Sequence, residues 1–380
     1  MCSLVIMKFS CTKEKFAKTL SLVAGVAGKN VNLPILGNIL IKADNQKVEL
    51  VATNLELAVV ANLRSKIEAP GSFTVPGRTL LDFVNLLSDE KVDIELQDNE
   101  LLVKCGKSST KIKGSPAEEF PIIPSLEDGK GFLVGAEDLR NGLGQVLTAV
   151  AKNDIRPELS GVYFGFNMEN QPGLTMAATD SYRLAEKKIK LNQGTESLKV
   201  IVPGRAAQEM SHILATAEAE EAEKNVRMLV GENQIALHYD SVQLVSRLVD
   251  GQYPDYTQII PKDFKTTAIF STGQMTKEIK AASLFTTTGV NAVSLDLNTS
   301  QGSVGVSSTS TQTGEYTSEI QAEISGEENS ILLNHRYVLD GLNNMTGEEV
   351  ALKMINGDSP CLLAPQNDNS YLYIVMPIRQ

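Results

Sequence analysis

The 380-residue sequence predicts an α+β protein in which one two-helix, multi-strand unit is written three times in tandem. Three observations carry this. The tetrapeptide VPGR occurs at Val75–Arg78 and again at Val202–Arg205, each time opening a stretch with helical spacing, TLLDFVNLL and AAQEMSHIL. LNHR at Leu333–Arg336 answers them at nearly the same interval, so Arg78, Arg205 and Arg336 stand at three helix starts. Between the helices lie the runs VELVATNLELAVV, LTMAATDSYRLAEKKI and SVGVSSTSTQTGEYTSEI, whose alternating or wholly apolar patterns predict strands.

Taken in order, the first unit opens with KFS, and Phe16, Leu20 and Val23 then recur at i, i+4, i+7, the single apolar stripe of an amphipathic helix. The unit ends at EEFPIIP (Glu118–Pro124), an extended linker because proline cannot continue a helix. In the second unit GFLV precedes Leu139, Leu143 and Val146 at the same spacing, and DGQYPDYTQIIP (Asp250–Pro261) closes it with another aromatic followed by proline. The third repeats the pattern with TTAIF, then Met275, Ile279 and Ala282, and ends in YLYIVMPIRQ. These joints set the expected domains at 1–130, 131–259 and 260–380. The acidic AEAEEAEK (Ala217–Lys224) is read as a solvated loop or helix end.

Composition narrows the function. The net charge of −11 argues against wrapping nucleic acid with a broadly basic surface, which needs clustered Lys and Arg. Cys2, Cys11, Cys105 and Cys361 form no CxxC pair, which suits reduced core thiols rather than zinc or a disulfide framework. The opening MCSLVIMKFS has no basic leader or cleavage site, and no apolar run approaches the roughly 20 residues of a membrane span, so a cytoplasmic protein is expected. His212, His238 and His335 are far apart and outside any HExxH spacing, and GxxxxGK[ST] is absent. Gly142 and Gly144 lie in a probable helix without a third glycine, a weak dinucleotide signal. Acidic pairs such as Asp93/Glu95, Glu118/Glu119 and Asp250/Asp255 are inevitable among 46 carboxylates. No catalytic residue, metal site or cofactor is indicated. A catalytic polymerase or nuclease subunit would need clustered metal-binding carboxylates; a repeat-built scaffold that never touches DNA is the other alternative.

Five segments in register carry a family resemblance: LPILGN (Leu33–Asn38), TDSYRLA (Thr179–Ala185), VIVPGR (Val200–Arg205), LVDGQYPDY (Leu248–Tyr256) and YIVMPIR (Tyr373–Arg379). From Met7 to the end the chain resembles the bacterial DNA polymerase III beta subunits, the sliding clamps; Met1–Ile6 is an extension before the family's usual MKF start. The resemblance implies three clamp domains and a head-to-tail homodimer closing a six-domain ring around double-stranded DNA, without sequence preference. It implies a non-catalytic processivity factor that tethers replicative and repair polymerases, the clamp loader, and mismatch-repair and other motif-bearing proteins. Candidate inner cations are Lys13, Lys15, Lys18, Arg78, Arg140, Lys152, Arg156, Arg205, Lys277, Lys280 and Arg336. A guanidinium at a helix N-terminus, as at Arg78 and Arg205, suits a phosphate.

Carried over by position, the family's DNA contacts fall on Lys29, Arg78 and the Asn153–Glu158 segment, with Asn153 and Arg156 in place. Pro157 and Glu158 stand where the family pattern has aromatic residues, and a carboxylate cannot stack as they do. The partner-peptide pocket falls on Leu159, Thr179, Ser181, Tyr182, Arg183, Leu184, Pro254, Ile259, Pro360, Ile374, Val375, Met376, Pro377, Ile378 and Arg379. Their apolar character and the adaptable Met suit varied ligands, and Tyr182 replaces a His found in some clamps. Tyr371 to Ile374 are expected to complete a sheet, and Pro377 to stop pairing, freeing Met376 and Ile378 to face a groove of Leu184, Pro254 and Ile259. Ring closure is expected between sheet edges near Leu101–Ile112 and Ser303–Ser310, with Lys104, Lys107, Lys111 and Lys113 meeting acids such as Asp296 or Glu315.

Overall fold

The computed structural model describes residues 7–28, 32–88, 90–123, 125–152, 155–169, 171–217 and 224–379. The first repeat runs β1 (Met7–Thr12), α1 (Lys13–Ala24), β2 (Asn38–Ala43), β3 (Val48–Thr53), β4 (Leu57–Leu63), β5 (Lys66–Ala69), β6 (Gly71–Pro76), α2 (Gly77–Asn85), β7 (Lys91–Gln97), β8 (Glu100–Cys105) and β9 (Ser108–Lys113). The second has the same order: β10 (Lys130–Gly135), α3 (Ala136–Leu147), β11 (Gly161–Met168), β12 (Gln171–Thr179), β13 (Arg183–Ile189), β14 (Leu191–Gln193), β15 (Leu198–Pro203), α4 (Gly204–Thr216), β16 (Asn225–Val230), β17 (Gln234–Tyr239) and β18 (Val242–Arg247). So does the third: β19 (Thr266–Ser271), α5 (Thr272–Ser283), β20 (Ala292–Asn298), β21 (Ser303–Ser310), β22 (Gly314–Gln321), β23 (Glu323–Gly326), β24 (Asn329–Asn334), α6 (His335–Leu342), β25 (Glu349–Met354), β26 (Cys361–Pro365) and β27 (Tyr371–Val375).

The helices form where the stripes predicted them. Phe16, Leu20 and Val23 of α1, Leu139, Leu143 and Val146 of α3, and Met275, Ile279 and Ala282 of α5 are all buried. Thr12 caps α1 by accepting from Lys15 N at 3.4 Å, Ser271 caps α5 from Gln274 N at 3.4 Å, and Asn334 caps α6 from Arg336 N at 3.0 Å. The recurrent VPGR also finds its physical reason. A Cβ on Gly77 would lie 2.7 Å from Ile39 Cγ1, and one on Gly204 would lie 2.9 Å from Ser160 O. The glycines let the second helix start flush against the sheet. In the third repeat His335 takes that place and is buried, which lowers its basicity.

Each repeat contributes a five-stranded half-sheet and a four-stranded half-sheet, all antiparallel. The halves are shared between repeats. The second repeat's β14-β10-β16-β17-β18 continues into the first repeat's β4-β3-β2-β6, and β15-β11-β12-β13 continues into the third repeat's β27-β26-β25-β19-β23. Two nine-stranded sheets result. Left over are the first repeat's β5-β1-β7-β8-β9 and the third repeat's β22-β21-β20-β24. The chain accordingly divides into two compact bodies that split the second repeat. One takes the residues through Arg140, Leu191–Glu196 and Arg205–Leu248; the other takes Asn141–Lys190, Ser197–Gly204 and Val249 onward. In the first, α1 packs on α2, β3 and β4; in the second, α5 packs on α6 and β19 to β22.

One expectation about the edges is corrected. Ser303–Ser310 (β21) is paired on both sides, by β20 and β22, so the free edge of that sheet is β22. Asp296 lies on the interior strand β20. In the first repeat the edge is β9, within the expected Leu101–Ile112 neighbourhood, while β8 is internal. Cys11, Cys105 and Cys361 are buried, and among the described residues no helix is long and apolar enough to cross a membrane.

Two glycines give opposite expectations in urea unfolding. Gly204→Ala drives a methyl into Ser160 O and Val150 Cγ1, and a loss of about 1–3 kcal/mol is expected. Gly273, in the first turn of α5, has no atom within 4 Å of its Cβ position; Gly273→Ala is expected to gain about 0.5–1 kcal/mol.

Candidate functional site

The richest side-chain chemistry in the second body gathers where β27 pairs with β13, in the register Arg183↔Val375 to Lys187↔Tyr371. On one face Leu184 and Ile374, both fully buried, pack with Ala177 and Tyr256, and Tyr163, Tyr253, Ile259, Ile260 and Leu372 close over them. The tyrosines keep their hydroxyls satisfied. Tyr256 donates to Glu186 Oε2 at 2.7 Å, and the Tyr253 oxygen accepts from Thr179 N at 3.0 Å. Burial pushes both phenols well above their usual pKa, so they remain neutral hydrogen-bonding groups.

The turn from β12 to β13 is built by its own side chains. Thr179 Oγ1 donates to Arg183 O (2.7 Å) and accepts from Ser181 N (3.1 Å), while Asp180 Oδ1 accepts from Tyr182 N and Arg183 N, each at 3.0 Å. Ser181 is thereby held at φ +76°. Arg183 is only 6% exposed. Its Nε donates to Asp180 Oδ2 (3.1 Å), its second arm pairs with Asp340, and its Cζ lies 4.7 Å from the Tyr337 ring centroid. A buried guanidinium is tolerated because two carboxylates and an aromatic face replace its water. Tyr182 stacks on Tyr337 at 6.3 Å and 20°.

Beside this turn opens a cavity of about 670 Å³, lined by Ser181, Tyr182, Gly289, Val290, Asn334, Tyr337, Asp358, Pro360, Met376, Pro377, Ile378 and Arg379. The tail that forms its floor is tied down. Met376 N donates to Tyr182 O (2.9 Å) and Ile378 N donates to Leu332 O (2.8 Å). Backbone bonding therefore does not stop at Pro377, while Met376 and Ile378 both line the cavity. Leu184 and Ile259 belong to the tyrosine cluster.

Of the expected pocket positions, Ser181, Tyr182, Pro360, Met376, Pro377, Ile378 and Arg379 line the cavity, and Leu184, Ile259 and Ile374 lie in the cluster. Thr179 and Arg183 build the turn, Leu159 and Val375 are buried, and Pro254 is half-buried. Missed were Gly289, Val290, Asn334, Tyr337 and Asp358. A signal existed for two of them. Asn334 and Tyr337 sit inside and directly after LNHR, the third repeat's counterpart of VPGR.

Among the expected DNA contacts, Lys29 and Asn153 fall outside the described residues. Arg78, the second residue of α2, is 86% exposed on its side chain and pairs with Asp82 at 3.0 Å. Arg205, the second residue of α4, donates to Gly25 O at 3.2 Å. Arg156 pairs with Glu158 at 3.2 Å, in the short turn Pro157–Leu159. A backbone hydrogen bond and then Arg156 hold the Glu158 carboxyl below its usual pKa, so it stays charged. Among the described residues no cluster of three His, Cys, Asp or Glu could hold a metal ion.

Comparison with known proteins agrees along the whole chain. Residues 7–124, 134–255 and 257–379 match, in order, the N-terminal, central and C-terminal domains of the DNA polymerase III beta subunit. The beta sliding clamp of Bacillus subtilis strain 168 is 30% identical over 385 residues, covering 98% of this chain and 100% of that protein. Among solved structures, the Thermotoga maritima DNA polymerase III beta subunit superposes with a TM-score of 0.90 at 27% identity, over 98% of this chain and all of that one. The Pseudomonas aeruginosa sliding clamp bound to griselimycin does so at 0.89, with 27% identity and the same coverage.

The turn yields a graded expectation. Asp180→Asn keeps an acceptor for Tyr182 N and Arg183 N but loses the charge and the second oxygen that accepts from Arg183 Nε. Asp180→Ala loses all of these. Denaturation midpoints should fall in that order, with the alanine variant down by about 1.5–3 kcal/mol, the worth of hydrogen bonds to a charged group.

Proposed function

The chain belongs to the DNA polymerase III beta subunit family, the bacterial sliding clamps, and on that premise we propose that two copies close head to tail into a ring around duplex DNA. The protein is a non-catalytic processivity subunit of the replicative polymerase. The observation that carries the ring is the pair of unfinished sheets. Within the chain, the last strand of one repeat joins the hairpin strand of the repeat before it: β18 on β4, and β27 on β13. The same rule leaves β9 and β22 without partners, one at the edge of a five-stranded and one at the edge of a four-stranded sheet. Pairing β9 of one copy with β22 of another makes the third nine-stranded sheet, and a second such contact pairs the other β9 with the other β22. Charge supports the match: Lys111 and Lys113 are exposed on β9, Glu315 and Glu319 on β22.

In this reading the domains are 1–130, 131–259 and 260–380, and DNA phosphates are met by Lys29, Arg78, Arg205 and the Asn153–Glu158 segment without reading sequence. The cavity at Met376–Arg379 and the adjoining tyrosine cluster take short peptide segments of replicative and repair polymerases, the clamp loader and mismatch-repair proteins. The protein acts in the cytoplasm.

Retention on DNA is the direct test. Protein loaded by a clamp loader on nicked circles should stay bound through gel filtration in high salt and be released when the circles are linearised. Equal loss from both forms would leave only a scaffold without DNA linkage. Phosphate-only contacts also predict that affinity for short linear duplex falls with salt, with a log–log slope of about −0.9 per contact.

The edges give a second expectation. Light scattering should show twice the 41.1 kDa chain mass. Lys111→Glu with Lys113→Glu should weaken the dimer about tenfold, since each reversed cross-strand charge pair is worth ~0.2–1 kcal/mol as attraction and again as repulsion. Adding Glu315→Lys and Glu319→Lys should restore it.

A further inference from the structure

We propose that the first body carries a second peptide groove, at the joint of β4 and β18, which takes a short extended segment with an aliphatic anchor followed by an acidic residue. The joint is a copy of the β13–β27 joint, hydrogen bond for hydrogen bond. Thr53 Oγ1 donates to Leu57 O (2.9 Å) and accepts from Leu55 N (3.0 Å), as Thr179 does with Arg183 O and Ser181 N. Asn54 Oδ1 accepts from Glu56 N (3.0 Å) and Leu57 N (2.8 Å), the role of Asp180. Ser246 faces Leu57 on β4 as Val375 faces Arg183 on β13. The chain then leaves the joint by the same bond, Arg247 N to Glu56 O at 2.9 Å, where the other joint has Met376 N to Tyr182 O at 2.9 Å.

A cavity of about 440 Å³ lies at this copy, within the ~300–1,000 Å³ of ordinary ligand clefts. Its floor is Leu57, Ala58 and Val245, and its rim is Leu55 and Ile122. Both rim residues are exposed against expectation for their type, Leu55 by 48% and Ile122 by 96%. Leu55 sits at φ +79°, where a leucine is strained. The equivalent position in the other joint is Ser181 at φ +76°, which lines the larger cavity. A turn that holds an aliphatic side chain in a costly conformation and leaves half of it in water is explained by a ligand that covers it.

Chemistry separates the two grooves. The wall beside Met376 is aromatic, Tyr182 on Tyr337. Here Glu56 and Arg247 stand at the places of Tyr182 and Met376, both exposed at the groove's lip. Leu55 and Ile122 offer a purely aliphatic contact, and Arg247 offers a fork for a carboxylate. An aromatic anchor finds no ring to stack on. The occupant's class rests on reading the Met376 groove as a peptide site; the groove itself rests on the internal copy.

The test uses the full chain with isoleucine δ-methyls labelled for NMR, titrated with the acetylated, amidated pentapeptide Gly-Leu-Leu-Asp-Gly. Ile122 and Ile123 should shift together and saturate. Arg247→Gln should weaken binding about fivefold and Leu55→Glu more than tenfold, the loss of one charge-assisted contact and of one covered leucine. Leu55→Gly, which relieves the backbone, should also lose affinity while the melting temperature does not fall. Ile378 should respond instead to a Leu-Phe peptide, and that response should survive Leu55→Glu. Failure of the Ile378 response alone removes the peptide reading of the other groove and leaves this one standing. No saturable shift at Ile122 with millimolar peptide, a shift that persists in Leu55→Glu, or a change of molecular mass in that variant would each overturn the proposal, the last by making the groove a contact between copies.

Discussion

An unpaired sheet edge is the constraint on which this architecture depends. Every repeat makes two half-sheets, and each half ends in a strand whose amides and carbonyls on one side have no partner within the repeat. The answer is to lend the edge to the next repeat, which fuses β18 to β4 and β27 to β13. Backbone pairing of this kind is continuous and hard to shear. It explains why the compact bodies cut across the second repeat: the unit of cohesion is the completed nine-stranded sheet, not the repeat written in the sequence. Because the rule is translational, it leaves one edge of each kind unfilled, β9 and β22.

The joints are also where chemistry collects. At each hairpin before a joint a hydroxyl closes the turn: Thr53, Thr179 and, in the third repeat, Ser310, which accepts from Gln312 N at 3.3 Å. The turns stand proud of the sheet, so the residues after them are free to vary while the fold is held by the backbone. At one joint the variation produced Tyr182 and a buried Arg183 locked between Asp180, Asp340 and Tyr337. At the other it produced Leu55, Glu56 and a fully apolar Leu57. One scaffold thus presents two surfaces of different character at equivalent places.

What was legible in the sequence follows from which interactions are local. Phe16, Leu20 and Val23 announce a helix because the stripe is intrinsic to the 3.6-residue turn, and the same spacing at 139–146 and 275–282 announces the repeat. VPGR marks a helix start because Gly77 and Gly204 have no room for a Cβ. Strand neighbours are another matter. Alternation in SVGVSSTS says that one face is buried and says nothing of which edge is covered, so it does not separate β21 from β22, the more polar GEYTSEIQ that provides the edge. The cavity suffered likewise: Asn334 and Tyr337 arrive from a helix start some 150 residues after Tyr182, a proximity that only the β13–β27 pairing creates. β27 ends at Val375, yet beyond Pro377 the Ile378 N still finds Leu332 O, a long-range bond with no local signature.

The described cations bear on how such a protein would hold DNA. Arg78 is answered by Asp82, Arg156 by Glu158, and Arg205 by the carbonyl of Gly25. Exposed pairs of this kind are worth little and exchange readily, so each guanidinium can reach a phosphate only by giving up a partner of similar value. The net gain per contact is small, and the overall charge of −11 adds a general repulsion. These three contacts therefore add little ionic affinity. A protein that must stay on DNA for long tracts and still move along it needs a means of retention that does not oppose translation. In the proposed ring, pairing of β9 with β22 of a second copy would supply one, because backbone hydrogen bonds between protein chains would hold the ring shut without holding it to the duplex.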